Sequence, residues 1–110
     1  MSVNSRQKGA RFEREVLNKL KERTGVRGRR TSDGYNQADR GDIIHPALEQ
    51  YNVECKHREK IALAEWIAQS EQDAANHKEP IVVWRTNKIK ARVDMTLEHF
   101  LELVIGGSNA

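Results

Sequence analysis

The stretch GDIIHPALEQYNVECKHREK, residues 41–60, contains the pattern on which both the fold and the chemistry depend. Within it, residues 51–57 alternate between apolar and polar side chains, which is typical of a β-strand with one buried face. Side chains two positions apart share a face of a strand, so Glu54 and Lys56 lie together. Asp42 begins a shorter apolar segment just upstream. If these two strands are neighbours, Asp42 lies beside Glu54.

The segments on either side alternate between helical and extended patterns. Apolar side chains recur at helical spacing from about residue 5 to residue 22, and again from residue 62 to residue 76. Further strands are predicted near 27–31, 42–45, 81–85 and 88–94, followed by a last helix that Thr96 caps. The alternation in the last strand predicts that the side chains of Ile89, Ala91 and Val93 point inward. The predicted order is α-β-β-β-α-β-β-α, a mixed central β-sheet flanked by helices.

The composition limits the class of protein. A chain of 110 residues that is 37% hydrophobic and 32% charged suits a single domain, residues 1–110, and we expect flexible tails at 1–4 and 106–110. The one cysteine, Cys55, excludes an intramolecular disulfide and a cysteine-based zinc site, and it favours an intracellular, cytoplasmic location. Since no segment approaches the roughly 20 apolar residues of a membrane span, we expect no membrane partner.

Positive charge is clustered along the chain. The net charge is +3, and one cluster of arginines falls within eight residues, 23–30. Two later clusters consist of Lys56, Arg58 and Lys60, and of Arg85, Lys88, Lys90 and Arg92. Such clusters favour a polyanionic partner such as DNA. The alternative for each cluster is an ordinary solvated surface.

Acidic side chains occupy positions that are costly without a partner. Glu13 falls inside the apolar arc of the first predicted helix, where a carboxylate needs an ion pair or a cation. Asp42 and Glu54, if they are adjacent, repel each other unless a divalent ion lies between them, and their oxygen atoms suit Mg²⁺ or Mn²⁺. Lys56 could then orient water or stabilise a charged transition state. The alternative for Glu13 is a salt bridge at the edge of the core. The alternative for Glu54 and Lys56 is a salt bridge on an exposed strand face, because a lone E-x-K pattern is common by chance.

This combination of residues resembles the PD-(D/E)XK nuclease superfamily. The motif reads GD at Gly41–Asp42 and ECK at residues 54–56, with glycine in place of the proline of the family name. The segment KGARFEREV, residues 8–16, is similar to the first helix of archaeal-type Holliday junction resolvases, which carry a K-G-x-x-x-E-R-E pattern. The resemblance covers residues 5–60, and beyond them only the order of the elements. It implies a restriction-endonuclease-like α/β core.

The resemblance also implies roles for individual residues. The implied catalytic set is Glu13, Asp42, Glu54, Lys56 and Gln69. The implied metal ligands for Mg²⁺, with Mn²⁺ as a substitute, are Asp42, Glu54, the backbone carbonyl of Cys55 and, through water, Glu13. We assign DNA contacts to Lys8, Arg14, Arg27, Arg29, Arg30, His57 and Arg58. Asp39 in the preceding loop is an alternative ligand to Asp42, and plain helix surface is the alternative for Gln69.

The predicted function is metal-dependent hydrolysis of DNA, with a four-way junction or another branched structure as the leading substrate. A junction enzyme must cut two symmetric strands, so a homodimer follows from two-fold symmetry. The short chain without a specificity domain suggests a phage enzyme. One alternative is a nicking, restriction-like or DNA-processing nuclease of the same fold. The others are a DNA-binding module on a decayed nuclease fold and an α/β protein whose acids are salt-bridged.

Overall fold

The structure is a computed structural model that describes residues 5–34, 41–74 and 78–106. Its elements are α1 (Ser5–Thr24), β1 (Arg29–Arg30), β2 (Ile43–Ile44), β3 (Tyr51–His57), α2 (Leu63–Ala74), β4 (Glu79–Arg85), β5 (Arg92–Asp94) and α3 (Leu97–Ile105). This order confirms the predicted one. Of the expected tails, 1–4 and 107–110 lie outside the described residues, whereas Gly106 ends α3 in the left-handed conformation, at φ 88°.

The central sheet has three strands in the order β3-β4-β5. β3 runs parallel to β4, and β4 runs antiparallel to β5, so the sheet is mixed. The register places Glu54 opposite Val82 and Lys56 opposite Trp84. β1 and β2 form a separate antiparallel pair. The result is the predicted α/β architecture, compatible with a restriction-endonuclease-like core.

Each face of the sheet carries its own apolar cluster. On one face α1 packs over β3, and the buried side chains are Phe12, Val53, Cys55, Ile81 and Val83, joined by Ile43 of β2. On the other face Trp66 of α2 packs with Val82 and Trp84 of β4, and the ring centroids of the two tryptophans are 6.0 Å apart. Because side chains alternate along β3, Glu54 and Lys56 point to the face that α2 covers.

The connection into β2 crosses β3 closely. The Asp42 N–H donates to the carbonyl oxygen of Val53 at 2.7 Å. Gly41 has φ 75°, and a Cβ at this position would lie 2.7 Å from the same carbonyl oxygen. Glycine is therefore required by both the backbone conformation and the close approach. This close approach fixes Asp42 against the middle of β3.

The prediction that Ile89, Ala91 and Val93 point inward is wrong. Ile89 lies in a turn rather than in a strand, and Val93 is 52% exposed on the short edge strand β5. Val93 pairs with Val83 in the register, but α1 packs mainly over β3 and leaves this part of the sheet open. None of the helices formed by the described residues combines the length and the hydrophobicity needed to cross a bilayer.

Candidate active site

A cleft of about 260 Å³ opens between α1, the turn after β1 and the second half of β3. Its lining includes Glu13, Arg30, Asp42, Cys55, Lys56 and Arg58. Four of these come from the segments that the resemblance singled out, although up to 43 positions separate them in sequence, from Glu13 to Lys56. The fold therefore brings the predicted helix acid, the first carboxylate and the lysine to one place.

Asp42 is held rigidly in this cleft. Its Oδ2 atom accepts a hydrogen bond of 2.7 Å from the backbone N–H of Cys55, and its carbonyl oxygen accepts one of 3.0 Å from the N–H of Thr31. Burial raises the pKa of Asp42, while the Cys55 N–H and the charge of Lys56 act in the opposite direction. The side chain is thus fixed in orientation before anything binds to it.

Glu54 is buried on the face of β3 that α2 covers, and it is only 3% exposed. Burial, the nearby charge of Asp42 and a hydrogen bond with Asp73 together raise the pKa of Glu54 to about 8. Its Oε2 atom lies 3.5 Å from Nδ2 of Asn52. At neutral pH this carboxyl group therefore retains a proton in the folded protein, because ionising it would place a second negative charge beside Asp42.

Asp73 belongs to this acidic group, although sequence reasoning missed it. It lies on α2 one turn after Gln69, so both side chains project from the helix face that covers Glu54 and Lys56. Its charge contributes to the raised pKa of both Asp42 and Glu54. The spacing of four residues from Gln69 is the signal that could have identified it.

Lys56 and Gln69 contact each other directly. The Nζ atom of Lys56 donates a hydrogen bond of 3.1 Å to Oε1 of Gln69. Lys56 also lines the cleft that contains Asp42. The amide of Gln69 therefore limits where the ammonium group of Lys56 can point.

Glu13 has an ion-pair partner in the structure. The Nε atom of Arg30 lies 2.7 Å from Oε1 of Glu13, and both side chains are 15% exposed. Burial raises the pKa of Glu13, the hydrogen bond from Arg30 lowers it, and the charge of Asp42 raises it. Arg30 also contacts Asp33 at 3.3 Å. The contact resembles the salt-bridge alternative for Glu13, with an arginine as the partner. Arg30, which is also predicted to contact DNA, lines the cleft.

The donor atoms around the cleft are oxygen atoms, which are the ligands that a hard divalent cation prefers. Among residues 5–34, 41–74 and 78–106, no group of three or more His, Cys, Asp or Glu side chains is placed to hold a metal ion. The oxygen donors at this point are instead the carboxylates of Asp42 and Glu54 and the main-chain carbonyl of Cys55 between them in sequence. Asp42 is half-buried, Glu54 is buried, and the charge of Asp42 raises the pKa of Glu54, so a divalent cation would stabilise the two carboxylates together. Asp39, the alternative ligand, lies outside the described residues.

Most of the predicted DNA contacts fall on one side of α1. Arg14, Arg27, Arg29 and Arg30 line a groove of about 290 Å³ that adjoins the cleft through Arg30. Lys8 lies 3.7 Å from Glu59, and Arg58 lines the cleft. His57 contacts the edge of Phe12 at a ring-centroid distance of 5.7 Å and hydrogen-bonds Asn87, so it faces away from Lys56.

The fold also assembles a basic surface that the sequence did not reveal as one unit. Lys19 and Arg23 of α1 join Arg85, Lys88 and Lys90 around a groove of about 700 Å³, which we call the distal basic groove. An ion pair between Arg85 and Glu15, at 3.2 Å, links its two walls. The cluster 85–92 was visible in the sequence, but its association with α1 required the tertiary structure.

Comparison with known protein families matches residues 4–106 to a family described as "Phage putative PDDEXK endonuclease". No curated protein and no solved structure shows a significant match. The matched range contains the whole cleft and every residue of the predicted catalytic set. The superfamily assignment made from the motif is thus supported, whereas nothing in the match concerns Holliday junctions. Because the match spans nearly the whole chain, the protein belongs to this family of phage PDDEXK endonucleases.

Proposed function

We propose that this protein is a divalent-metal-dependent DNA endonuclease whose preferred substrate is a four-way junction. The observation that carries the proposal is the position of Asp42. Its carboxylate is fixed by the Cys55 N–H, inside the motif that also supplies Glu54 and Lys56. A backbone contact of this kind aligns the two halves of the motif without relying on a flexible side chain.

Asp42, Glu54 and the Cys55 carbonyl would hold the ion, and Glu13 is its proposed outer partner. Mg²⁺, or Mn²⁺ in its place, would supply activation of water and neutralisation of charge on the phosphate. Burial and the neighbouring carboxylates raise the pKa of Glu54. Because a carboxyl group must be deprotonated to bind a metal ion, Glu54 would have to release its proton. Ion binding is therefore expected to release a proton and to strengthen as the pH rises.

Lys56 is proposed as the catalytic lysine. The hydrogen bond to Gln69 directs its ammonium group within the cleft, where it lies close enough to influence the pKa of Asp42. A fixed positive charge at this point would stabilise the negative charge that develops on a phosphate during hydrolysis. Gln69 is accordingly a positioning residue in this proposal.

The distribution of positive charge supports a branched substrate. The groove containing Arg14 and Arg27 and the distal basic groove are lined by different residues of α1. Two such surfaces could each follow a phosphate backbone, which suits a substrate with more than one duplex arm. Symmetric cutting of a four-way junction also requires two sites, hence a homodimer. We place this activity in the cytoplasm of the host cell.

The decisive experiment is cleavage of a labelled four-way junction beside linear duplex, single strand and flap DNA of matched sequence, with Mg²⁺ and then Mn²⁺. We expect paired symmetric nicks on the junction, which Glu54→Gln abolishes. Glu65→Gln, on the exposed part of α2, is the matched control and should cleave normally. Equal cleavage of every substrate would refute the junction preference, and tight binding without cleavage under any condition would refute the nuclease.

A further inference from the structure

The last helix, α3, exposes its apolar side. Ile105 is 76% exposed and Leu97 is 70% exposed. The remaining exposed apolar residues of the helix are Phe100, Leu101, Leu103 and Val104. A surface helix normally buries its apolar residues and turns its polar residues to water. In α3 this polarity is reversed at the anchored side: the buried residue is the polar His99, whereas the apolar residues are exposed together with Glu98 and Glu102.

The reversal follows from how α3 is anchored. His99 is only 8% exposed, and its Nε2 atom lies 2.5 Å from the hydroxyl oxygen of Tyr51. Its Nδ1 atom lies 3.2 Å from Oε1 of Glu102, and the Thr96 hydroxyl caps the first turn by accepting from the His99 N–H. At 100° per residue, this contact turns the opposite arc of the helix to solvent. Of these contacts, the one between His99 and Tyr51 attaches the helix to β3, and the other two lie within the helix and its cap.

The outward arc forms one continuous stripe. Its members, at helical spacing i, i+3, i+4, i+7 and i+8, are Leu97, Phe100, Leu101, Val104 and Ile105. No charged residue interrupts the stripe, because Glu98 and Glu102 lie along one edge of it. This is the pattern by which one helix packs against another. We define these five residues as the α3 stripe.

The stripe is as large as the apolar patches that commonly mark interaction sites. Its five residues are 41–76% exposed and together present on the order of several hundred Å² of apolar surface, against the ~800 Å² per partner that a standard interface buries. Residues 107–110, which follow it, have the sequence GSNA and contain no large apolar side chain.

We propose that the α3 stripe is covered by the α3 stripe of a second copy of this chain, across a two-fold axis. A two-fold contact requires a patch that is complementary to itself. An uninterrupted apolar stripe on one straight helix satisfies this requirement, because two copies can pack side by side with no charge buried between them. The proposal rests on the exposure of α3 and does not depend on the chemistry of the cleft. Its consequence, two catalytic clefts in one particle, rests on the proposed function.

The test is the molar mass of the full chain in solution, measured by sedimentation equilibrium from ~1 to ~100 μM. We expect twice the chain mass of 12.6 kDa. Leu101→Glu and Phe100→Glu should each weaken the dimer by at least about 30-fold, since central apolar contacts of an interface contribute most to affinity. Ile89→Glu, an exposed apolar residue in the turn before β5, is the matched control and should leave the dimer unchanged.

A second measurement locates the axis. Leu101 is at the centre of the stripe, so Leu101→Cys should form an interchain disulfide under mild oxidation, whereas Ile89→Cys should not. The native Cys55 is buried and does not compete. Far-UV circular dichroism checks that each variant is folded, and Val104→Ser replaces any glutamate variant that is not.

Three results would overturn the inference: a monomer at every concentration, a dimer insensitive to all stripe substitutions, or polydisperse assembly instead of one defined dimer. A monomeric wild type that binds another protein through α3 would assign the stripe to a different occupant and would also overturn it. A dimer without nuclease activity would count against the proposed function alone.

Discussion

The substitution Glu54→Gln should remove most of the decrease in stability that the metal-free protein shows as the pH rises. The pKa of Glu54 is raised from 4.5 to about 8 in the folded protein. Between these two values the folded state holds a proton that the unfolded state has released. The stability that this proton contributes is therefore fully present below pH 4.5. It is lost as the pH rises through this window and is gone above about pH 8.

The magnitude follows from the size of the shift. Each unit of pKa corresponds to about 1.4 kcal/mol, so the free energy of unfolding falls by at most roughly 5 kcal/mol across the window. At pH 7 the loss is at most roughly 3 kcal/mol, because only part of the window has been crossed. The charges of Asp42 and Asp73 contribute to this shift of Glu54, so we expect about 2–4 kcal/mol for the part that Glu54→Gln removes.

The assay is urea unfolding in EDTA at several values between pH 5 and pH 8, followed by tryptophan fluorescence. Trp66 and Trp84 are buried in the core and report its exposure. The wild type should lose stability as the pH rises, Glu54→Gln should be much flatter, and the control Glu65→Gln should follow the wild type. Parallel profiles for the wild type and Glu54→Gln would refute the reasoning, as would a wild type that is more stable at pH 8 than at pH 5.

Three further substitutions test other contacts. Lys56→Gln should slow cleavage at least ~100-fold while junction affinity stays within a few-fold, as single-turnover kinetics and fluorescence anisotropy would show. Arg30→Ala should reduce the free energy of unfolding by about 2–4 kcal/mol, since it leaves the half-buried Glu13 without its ion-pair partner; urea unfolding measures this loss. The double variant Lys88→Gln/Lys90→Gln should reduce the slope of log affinity against log salt by ~2, because two phosphate contacts of the distal basic groove are lost.

Each of these substitutions has a contrary outcome. Unchanged cleavage by Lys56→Gln would remove the lysine from the mechanism. A loss of stability for Arg27→Ala as large as that for Arg30→Ala would show that the Glu13 contact is not the cause, because Arg27 is exposed. Lys78, at the other end of β4 from the groove, supplies the DNA-binding control, and an equal change in salt slope for Lys78→Gln would remove the groove from the DNA path.

Local pattern was sufficient to predict the elements. The alternation in YNVECKH predicted β3 with its observed bounds, Tyr51–His57, and the Thr96 cap marked the start of α3. The shared face of Glu54 and Lys56 followed from the same alternation. These predictions hold because the period of a strand and the cap of a helix depend on neighbouring residues alone.

Contacts between distant segments were not predictable in the same way. The pairing of Glu13 with Arg30, the approach of Asp73 to Glu54 and the union of Lys19 with Lys88 in one groove all depend on where whole elements pack. Periodicity shows on which face of its own helix or strand a residue lies. It does not show which side chain from a distant segment packs against that face.

The same distinction explains the edge strand and the last helix. The sequence by itself determined that Val93 and Leu101 belong to amphipathic elements. Only the tertiary structure decided that these apolar side chains remain exposed, because burial depends on whether another element covers a face, and that is a property of the packed chain. His99 shows the reason: its contact with Tyr51, 48 residues earlier in the chain, sets which side of α3 faces the protein and which side faces solvent.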